Sequence, residues 1–188
     1  MMRLFQSLVP ASALVVLLTA CGSGESNVES GNREGYLHYG NGAEPQGLDP
    51  QVVTGVPENH IVRALFEGLA VKNPKTLEPE PGVAERWEIS EDGTVYTFYI
   101  NPEAKWSNGE AMTASDYVWS WNRALHPDTG SLYAYMLYPI KNSEAYSKRE
   151  ITDFKEVGVK ALDDQTLQVT LNAPTPYFLQ LMDHYSSF

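Results

Sequence analysis

With 188 residues, the chain is long enough for one domain of ordinary size with further segments attached. Its 43% hydrophobic and 11% aromatic content is that of a globular protein and excludes a disordered chain. A formal net charge of -11 excludes the basic footprint that nucleic-acid binding needs, and a single cysteine excludes an internal disulfide.

Residues 1–20 read as an export leader. Arg3 precedes an apolar stretch over residues 8–18, which is shorter than the roughly 20 apolar residues of a membrane-spanning helix. The stretch closes on Leu18-Thr19-Ala20-Cys21 before Gly22. This pattern looks like a bacterial lipoprotein cleavage box, with Cys21 as the point of lipid attachment. The other reading is an ordinary secretory leader that happens to meet a cysteine. Residues 21–35 are polar and rich in glycine and serine, so they are expected to form a flexible tether without secondary structure.

Tyr36-Leu37-His38-Tyr39 is a short strand candidate, and residues 41–50 form a turn-rich loop. Residues 52–57 read as extended, with Gly55 marking either a close backbone approach or a bend. Pro57 suits the start of a helix, with Ile61, Val62, Leu65, Phe66 and Leu69 as its buried stripe. Residues 71–81 hold three prolines and read as a loop.

Residues 87–127 contain all four tryptophans, at 87, 106, 119 and 121. Ser90, Glu91, Asp92 and Gly93 make a turn, and residues 94–100 make a β-branched and aromatic strand. Tyr96, Phe98 and Ile100 point to one face of that strand and Val95, Thr97 and Tyr99 to the other. Both faces carry bulk, so cover on both sides is expected. Thr113 with Asp116 three residues on is a capping-box-like pair. It opens a helix with Ala114, Tyr117, Val118, Trp121, Ala124 and Leu125 on one face. His126-Pro127 ends that helix.

A turn at residues 128–131 leads to a tyrosine-rich stretch with Tyr133, Tyr135 and Tyr138. Residues 140–150 read as a surface helix with a loop. Residues 157–162 and 166–171 read as two strands joined through Asp163-Asp164-Gln165, a hairpin. Thr175 as cap and Pro176 at the first position begin a last helix, with Tyr177, Phe178, Leu181 and Tyr185 on one side.

Catalytic signatures are missing. His38, His60, His126 and His184 are scattered without zinc-site spacing. No G-x-S-x-G, phosphate-binding glycine loop or G-x-G-x-x-G occurs. A carboxylate pair meeting in space cannot be read from spacing, so a secreted hydrolase stays open as an alternative. The aromatic crowd reads as packed core at strand and helix spacing rather than as a ligand platform.

Several motifs, in order, resemble the N-terminal part of the bacterial family 5 extracellular solute-binding proteins, the oligopeptide-, dipeptide- and nickel-binding receptors of ABC importers. Residues 87–127 resemble the family's N-terminal signature. Glu44-Pro45-Gln46-Gly47-Leu48-Asp49-Pro50 is similar to its E-P-x-x-L-D-P loop, and Phe66-Glu67-Gly68-Leu69 to its F-E-G-L element. Pro81-Gly82-Val83-Ala84-Glu85-Arg86-Trp87 resembles P-G-x-A-E-x-W, and residues 159–171 with Pro174-Thr175-Pro176-Tyr177-Phe178 complete the series.

The resemblance implies an α/β fold of the periplasmic-binding-protein type, class II in its extended three-domain form. Only the family's N-terminal third is resembled, so the chain reads as a fragment. Residues 36–66 would start the large lobe, and residues 67–188 would form most of the small α/β domain. The resemblance also implies a monomeric binding protein, not an enzyme, with no cofactor. It would capture short peptides between two lobes, chiefly through their main chain, and deliver them to membrane permease subunits. Nickel, haem or sugar as ligand, or a secreted lipoprotein outside transport, are the alternatives. Thr54, Gly55 and Val56 are similar to the cleft strand beside the peptide, Tyr133 to a ligand-contacting tyrosine, and His184 to a histidine lining a side-chain pocket. Their other readings are an ordinary loop, a core tyrosine and a surface histidine. Position 54 holds threonine where peptide binders often carry an acid, so a preference for cationic side chains is not implied.

Overall fold

The structure is a computed structural model that describes residues 24–188. The leader at residues 1–20 and the expected lipidation point Cys21 lie outside the described residues. The chain divides into two units, Met1–Gly40 and Asn41–Phe188.

Within the first unit, the segment expected to be an unstructured tether carries a helix, α1 (Asn27–Glu34). Local chemistry accounts for the difference. Ser26 and Glu29 exchange hydrogen bonds in a capping box, with the Glu29 main-chain N–H donating to the Ser26 hydroxyl at 3.2 Å and the Ser26 N–H donating to the Glu29 carboxylate at 2.9 Å. Gly35 then closes the helix at φ 77°, a left-handed conformation that glycine adopts without a steric penalty. Residues 36–39 are not a strand. Tyr36, Leu37 and Tyr39 are exposed, and no described strand pairs with them.

The second unit is built on an antiparallel sheet of β3 (Ala84–Ile89), β4 (Val95–Ile100), β5 (Val159–Asp163) and β6 (Thr166–Thr170), in the order β3-β4-β6-β5. The β3–β4 turn is tied by Ser90 and Asp92, whose side chains accept from the main-chain N–H groups of Val95 (2.9 Å) and Thr94 (3.1 Å). Asp163 pairs with Thr166, so the β5–β6 connection is the expected tight hairpin. Phe98, Ile100, Leu167 and Val169 are at most 1% exposed. Against this side lies α3 (Ala114–Leu125), with Tyr117, Trp121, Ala124 and Leu125 buried. Asp116 accepts from the Thr113 N–H at 2.7 Å and the Thr113 hydroxyl at 3.0 Å, so the expected box opens this helix. Truncating Phe98 or Trp121 to alanine should cost about 3–5 kcal/mol.

Four further expectations are corrected. The second side of β4 is not covered: Val95, Thr97 and Tyr99 are half-buried, and the Arg86 guanidinium lies 3.3 Å over the Tyr99 ring. An antiparallel sheet can leave one face to water, and a cation over an aromatic ring suits that wet side. Residues 71–81 are not merely a loop, because β1 (Ala70–Lys72) and β2 (Pro79–Pro81) form a short antiparallel hairpin, a two-stranded edge that tolerates proline. The second helix, α2 (Val56–Leu65), starts at Val56 with Pro57 in its first turn, but of its expected stripe only Val62 and Leu69 are fully buried, while Leu65 and Phe66 are exposed. The last helix, α5 (Phe178–Leu181), begins after Pro176 rather than at it, and Tyr177 is exposed. Between these, a short α4 (Ser143–Ser147) follows the tyrosine-rich stretch.

The loop before α2 is pinned to α3. Asp49 pairs with the Arg123 guanidinium, which also donates to the Gln51 side-chain oxygen at 2.5 Å. The Gln51 amide donates to the main-chain oxygen and hydroxyl of Ser120, each at 2.7 Å. Among the described residues no helix is long and apolar enough to cross a membrane.

Candidate functional site

Residues 53–55 are held in place by side chains distant in sequence. The Tyr185 hydroxyl donates to the Val53 carbonyl at 3.1 Å, and the Tyr133 hydroxyl to the Thr54 carbonyl at 3.3 Å. The Val53 N–H donates to the Asp49 carbonyl, whereas the N–H groups of Thr54 and Gly55 have no hydrogen-bond partner among the described residues. Gly55 is the N-cap of α2 in an ordinary extended conformation, φ -95°. A Cβ added there would lie 1.8 Å from a Glu58 carboxylate oxygen. Of the two readings of Gly55, a close approach or a bend, the structure shows a close approach, made by the chain's own Glu58 side chain, which is 4% exposed and accepts from the Gln46 N–H at 2.7 Å. At the third position of the helix, that carboxylate also faces the positive end of the backbone dipoles.

Tyr133, His184 and Tyr185 form an aromatic cluster over this segment. The Tyr133 ring meets His184 edge-on at 5.1 Å and Tyr185 edge-on at 5.9 Å, and His184 stacks on Tyr185 at 4.6 Å. Tyr135 stands 6.0 Å from Tyr133 and is exposed. Asp183 anchors the end of the cluster. It is 5% exposed, takes Arg63 on its main-chain oxygen (2.6 Å) and carboxylate (2.8 Å), and has Lys72 at 3.5 Å. Burial, reinforced by the Arg63 guanidinium, holds the His184 imidazole below its ordinary pKa. The imidazole is thus neutral near pH 7, and its Nδ1 accepts from the Ser186 N–H at 3.3 Å. Burial, with Tyr133 beside it, pushes the Tyr185 phenol up to about 12.

Thr54, Tyr133 and His184 are thus brought together from three separate stretches. Val56 is not part of the cluster; it is the exposed first residue of α2. The arrangement places unpaired main-chain donors beside uncharged aromatic faces. Among the described residues no three His, Cys, Asp or Glu side chains converge on a metal position. Sequence reasoning missed the roles of Tyr185, Glu58, Arg63 and Asp183. Tyr185 was visible as an aromatic on the last helical stripe, while the buried charges carried no local signal.

A model of the bacterial extracellular solute-binding proteins, family 5, middle region, matches residues 78–188. The chain belongs to this family. The periplasmic oligopeptide-binding protein OppA of Salmonella typhimurium is 43% identical over 188 residues, which is 96% of this chain and 34% of that protein. The oligopeptide-binding protein OppA of Bacillus subtilis is 40% identical over 177 residues, 91% of this chain and 32% of the relative. The solved structure of Haemophilus influenzae OppA complexed with RPPGFSPFR superposes with a TM-score of 0.74 at 38% identity, covering 78% of this chain and 29% of that one. The chain therefore spans about a third of the length of the relatives it matches. Its α/β fold is part of the periplasmic solute-binding fold, as the motif series implies. The family 5 members named here are binding proteins by name, not enzymes.

Proposed function

We propose that this chain is part of an exported oligopeptide-binding protein of an ABC importer, with residues 53–55 and the Tyr133–His184 cluster as one wall of the peptide cleft. The observation that carries this reading is the convergence of Tyr133 and His184 on a segment with unpaired main-chain N–H groups. Main-chain donors pair with any extended peptide, and the neutral aromatic faces beside them tolerate many side chains. Relatives of about 40% identity named as oligopeptide-binding proteins support the ligand class. In this reading residues 36–66 begin the large lobe and residues 67–188 supply most of the small domain. The longer protein is a monomer that hands its cargo to membrane permease subunits. Lipid attached at Cys21 would hold it at the membrane, facing the periplasm or the cell exterior.

The test uses a fusion in which the Salmonella relative's polypeptide beyond the matched region follows Phe188. Native mass spectrometry of this fusion with a mixture of short peptides should show bound peptide, and Tyr133→Ala should weaken binding at least ten-fold. Tight binding of nickel, haem or a sugar with no peptide bound would overturn the ligand class.

A further inference from the structure

Glycine directly follows asparagine at two places, Asn41-Gly42 and Asn108-Gly109. In such a pair the main-chain nitrogen of the glycine can reach the side-chain amide carbon of the asparagine, because glycine carries no Cβ to crowd the approach. The fold treats the two pairs differently.

Asn108-Gly109 is locked. It tips a tight turn between Lys105 and Ala111, which form an antiparallel bridge. The Gly109 N–H donates to the Trp106 carbonyl at 2.8 Å. Both ends of the Asn108 amide are engaged as well. Its oxygen accepts from the Glu110 N–H at 3.0 Å, and its nitrogen donates to the Glu110 carboxylate at 2.9 Å. Attack of the Gly109 nitrogen on the amide carbon has to break these bonds, beside a carboxylate that opposes loss of the nitrogen's proton. The chemically related Asp92-Gly93 pair is locked in the same way. The Gly93 N–H donates to the Ser90 carbonyl at 2.9 Å, and the Asp92 carboxylate accepts from the Ser90 hydroxyl and the Thr94 N–H.

Asn41-Gly42 is open. The Gly42 N–H has no hydrogen-bond partner among the described residues, and Gly42 is exposed, with nothing within 4 Å of where a Cβ would stand. The Asn41 amide nitrogen donates to the Ala43 carbonyl at 3.1 Å, which folds the amide back along the main chain that follows it. The amide oxygen is buried and has no partner. An unpaired buried polar atom gains nothing from its place, so turning this amide toward the Gly42 nitrogen costs one hydrogen bond rather than several.

We propose that Asn41 is a modification site, at which the Gly42 nitrogen and water convert the side-chain amide to aspartate and isoaspartate. The Gly42 nitrogen gives its proton to hydroxide and bonds to Asn41 Cγ. The Cγ–Nδ2 bond breaks, and ammonia leaves with a proton taken back from water, so a five-membered imide remains. Water then opens the imide at Cγ to give aspartate, or at the Asn41 main-chain carbonyl carbon to give isoaspartate. One amide and one water thus become one carboxylic acid and one ammonia. The product adds a negative charge at the first residue of the second unit, and isoaspartate also lengthens the main chain there by one carbon. The reaction needs only this chain and water, so it is independent of peptide capture.

The folded 188-residue chain would be held in warm, mildly alkaline buffer, sampled over time and digested, with the peptides carrying Asn41 and Asn108 quantified by mass spectrometry. Conversion at Asn41 is expected to be at least about five-fold faster than at Asn108, the factor that one net hydrogen bond supplies. In guanidinium chloride the two rates should converge to within about two-fold, because the unfolded chain keeps only fluctuating local structure. Equal rates in the folded chain, or a faster rate at Asn108, would overturn the proposal. A bias toward Asn41 that persists undiminished after unfolding would overturn it too, since the preference would then lie in the neighbouring residues and not in the fold.

Discussion

Gly55→Ala places a methyl group where the Glu58 carboxylate sits, with 1.8 Å between the new carbon and the nearer oxygen. The backbone raises no objection, since φ is -95°. Only the side-chain conflict matters. Glu58 is 4% exposed and must swing away, which breaks its 2.7 Å hydrogen bond from Gln46. Losing a largely buried charged hydrogen bond costs about 1.5–3 kcal/mol. Replacing glycine by alanine returns about 0.4–1 kcal/mol by restricting the unfolded chain. The net expectation is a loss of about 1–2 kcal/mol. Urea denaturation of the 188-residue chain, followed by tryptophan fluorescence, measures it directly, because Trp121 sits in the core. The cause is isolated by repeating the substitution in a Glu58→Ala background. With the carboxylate gone, Gly55→Ala should be neutral or stabilising, a coupling of about 1.5–3 kcal/mol between the two sites. An equal cost in both backgrounds would refute the steric account of Gly55.

Three further outcomes are expected. Asp183→Asn should weaken the bonds to Arg63 and Lys72, lowering stability by about 1–3 kcal/mol and the near-UV circular dichroism of the Tyr133–His184–Tyr185 cluster with it; unchanged spectra would show that the cluster does not depend on this anchor. The His184 imidazole has a folded pKa below its ordinary value, so the unfolded chain takes up the proton first as pH falls. Its contribution to stability is complete above a pH of about 6.5 and is lost below that, through the folded pKa. The urea midpoint should therefore decline as pH falls below about 6.5, and His184→Gln should flatten that slope; an identical slope in the variant would assign the effect elsewhere. If Cys21 carries lipid, expressing the chain with its leader in a bacterial host should place it in the membrane fraction, and Cys21→Ser should release it to the soluble fraction.

The features most legible beforehand are those decided within a few residues. Thr113 and Asp116 sit one turn apart, as do Ser26 and Glu29, although the glycines and serines around the second pair suggested a tether. Ser90 acts across five residues and Asp92 across two, and His126-Pro127 stops α3 by local sterics. The hairpin at Asp163–Thr166 needs only a tight turn between two alternating runs. Several of the expectations that failed concerned burial. Leu65 and Phe66 satisfy the period of a buried stripe, but period only says that side chains share a face, not that anything covers it. The second face of β4 failed for the same reason, since bulk on Tyr99 was met by Arg86 rather than by a second layer.

Order and type of the residues alone determined the family, the strand and helix spacing of the core, and the absence of catalytic motifs, because those are carried by short motifs and local periodicity. The tertiary structure alone decided how the candidate site is assembled. Tyr133 reaches Thr54 across 79 positions and Tyr185 reaches Val53 across 132. Contacts at such separations arise only when the sheet, α3 and α5 have packed, and no local pattern specifies which distant hydroxyl will meet a given carbonyl. The same packing placed the Glu58 carboxylate against Gly55 and left the Tyr117 hydroxyl buried without a hydrogen-bond partner among the described residues.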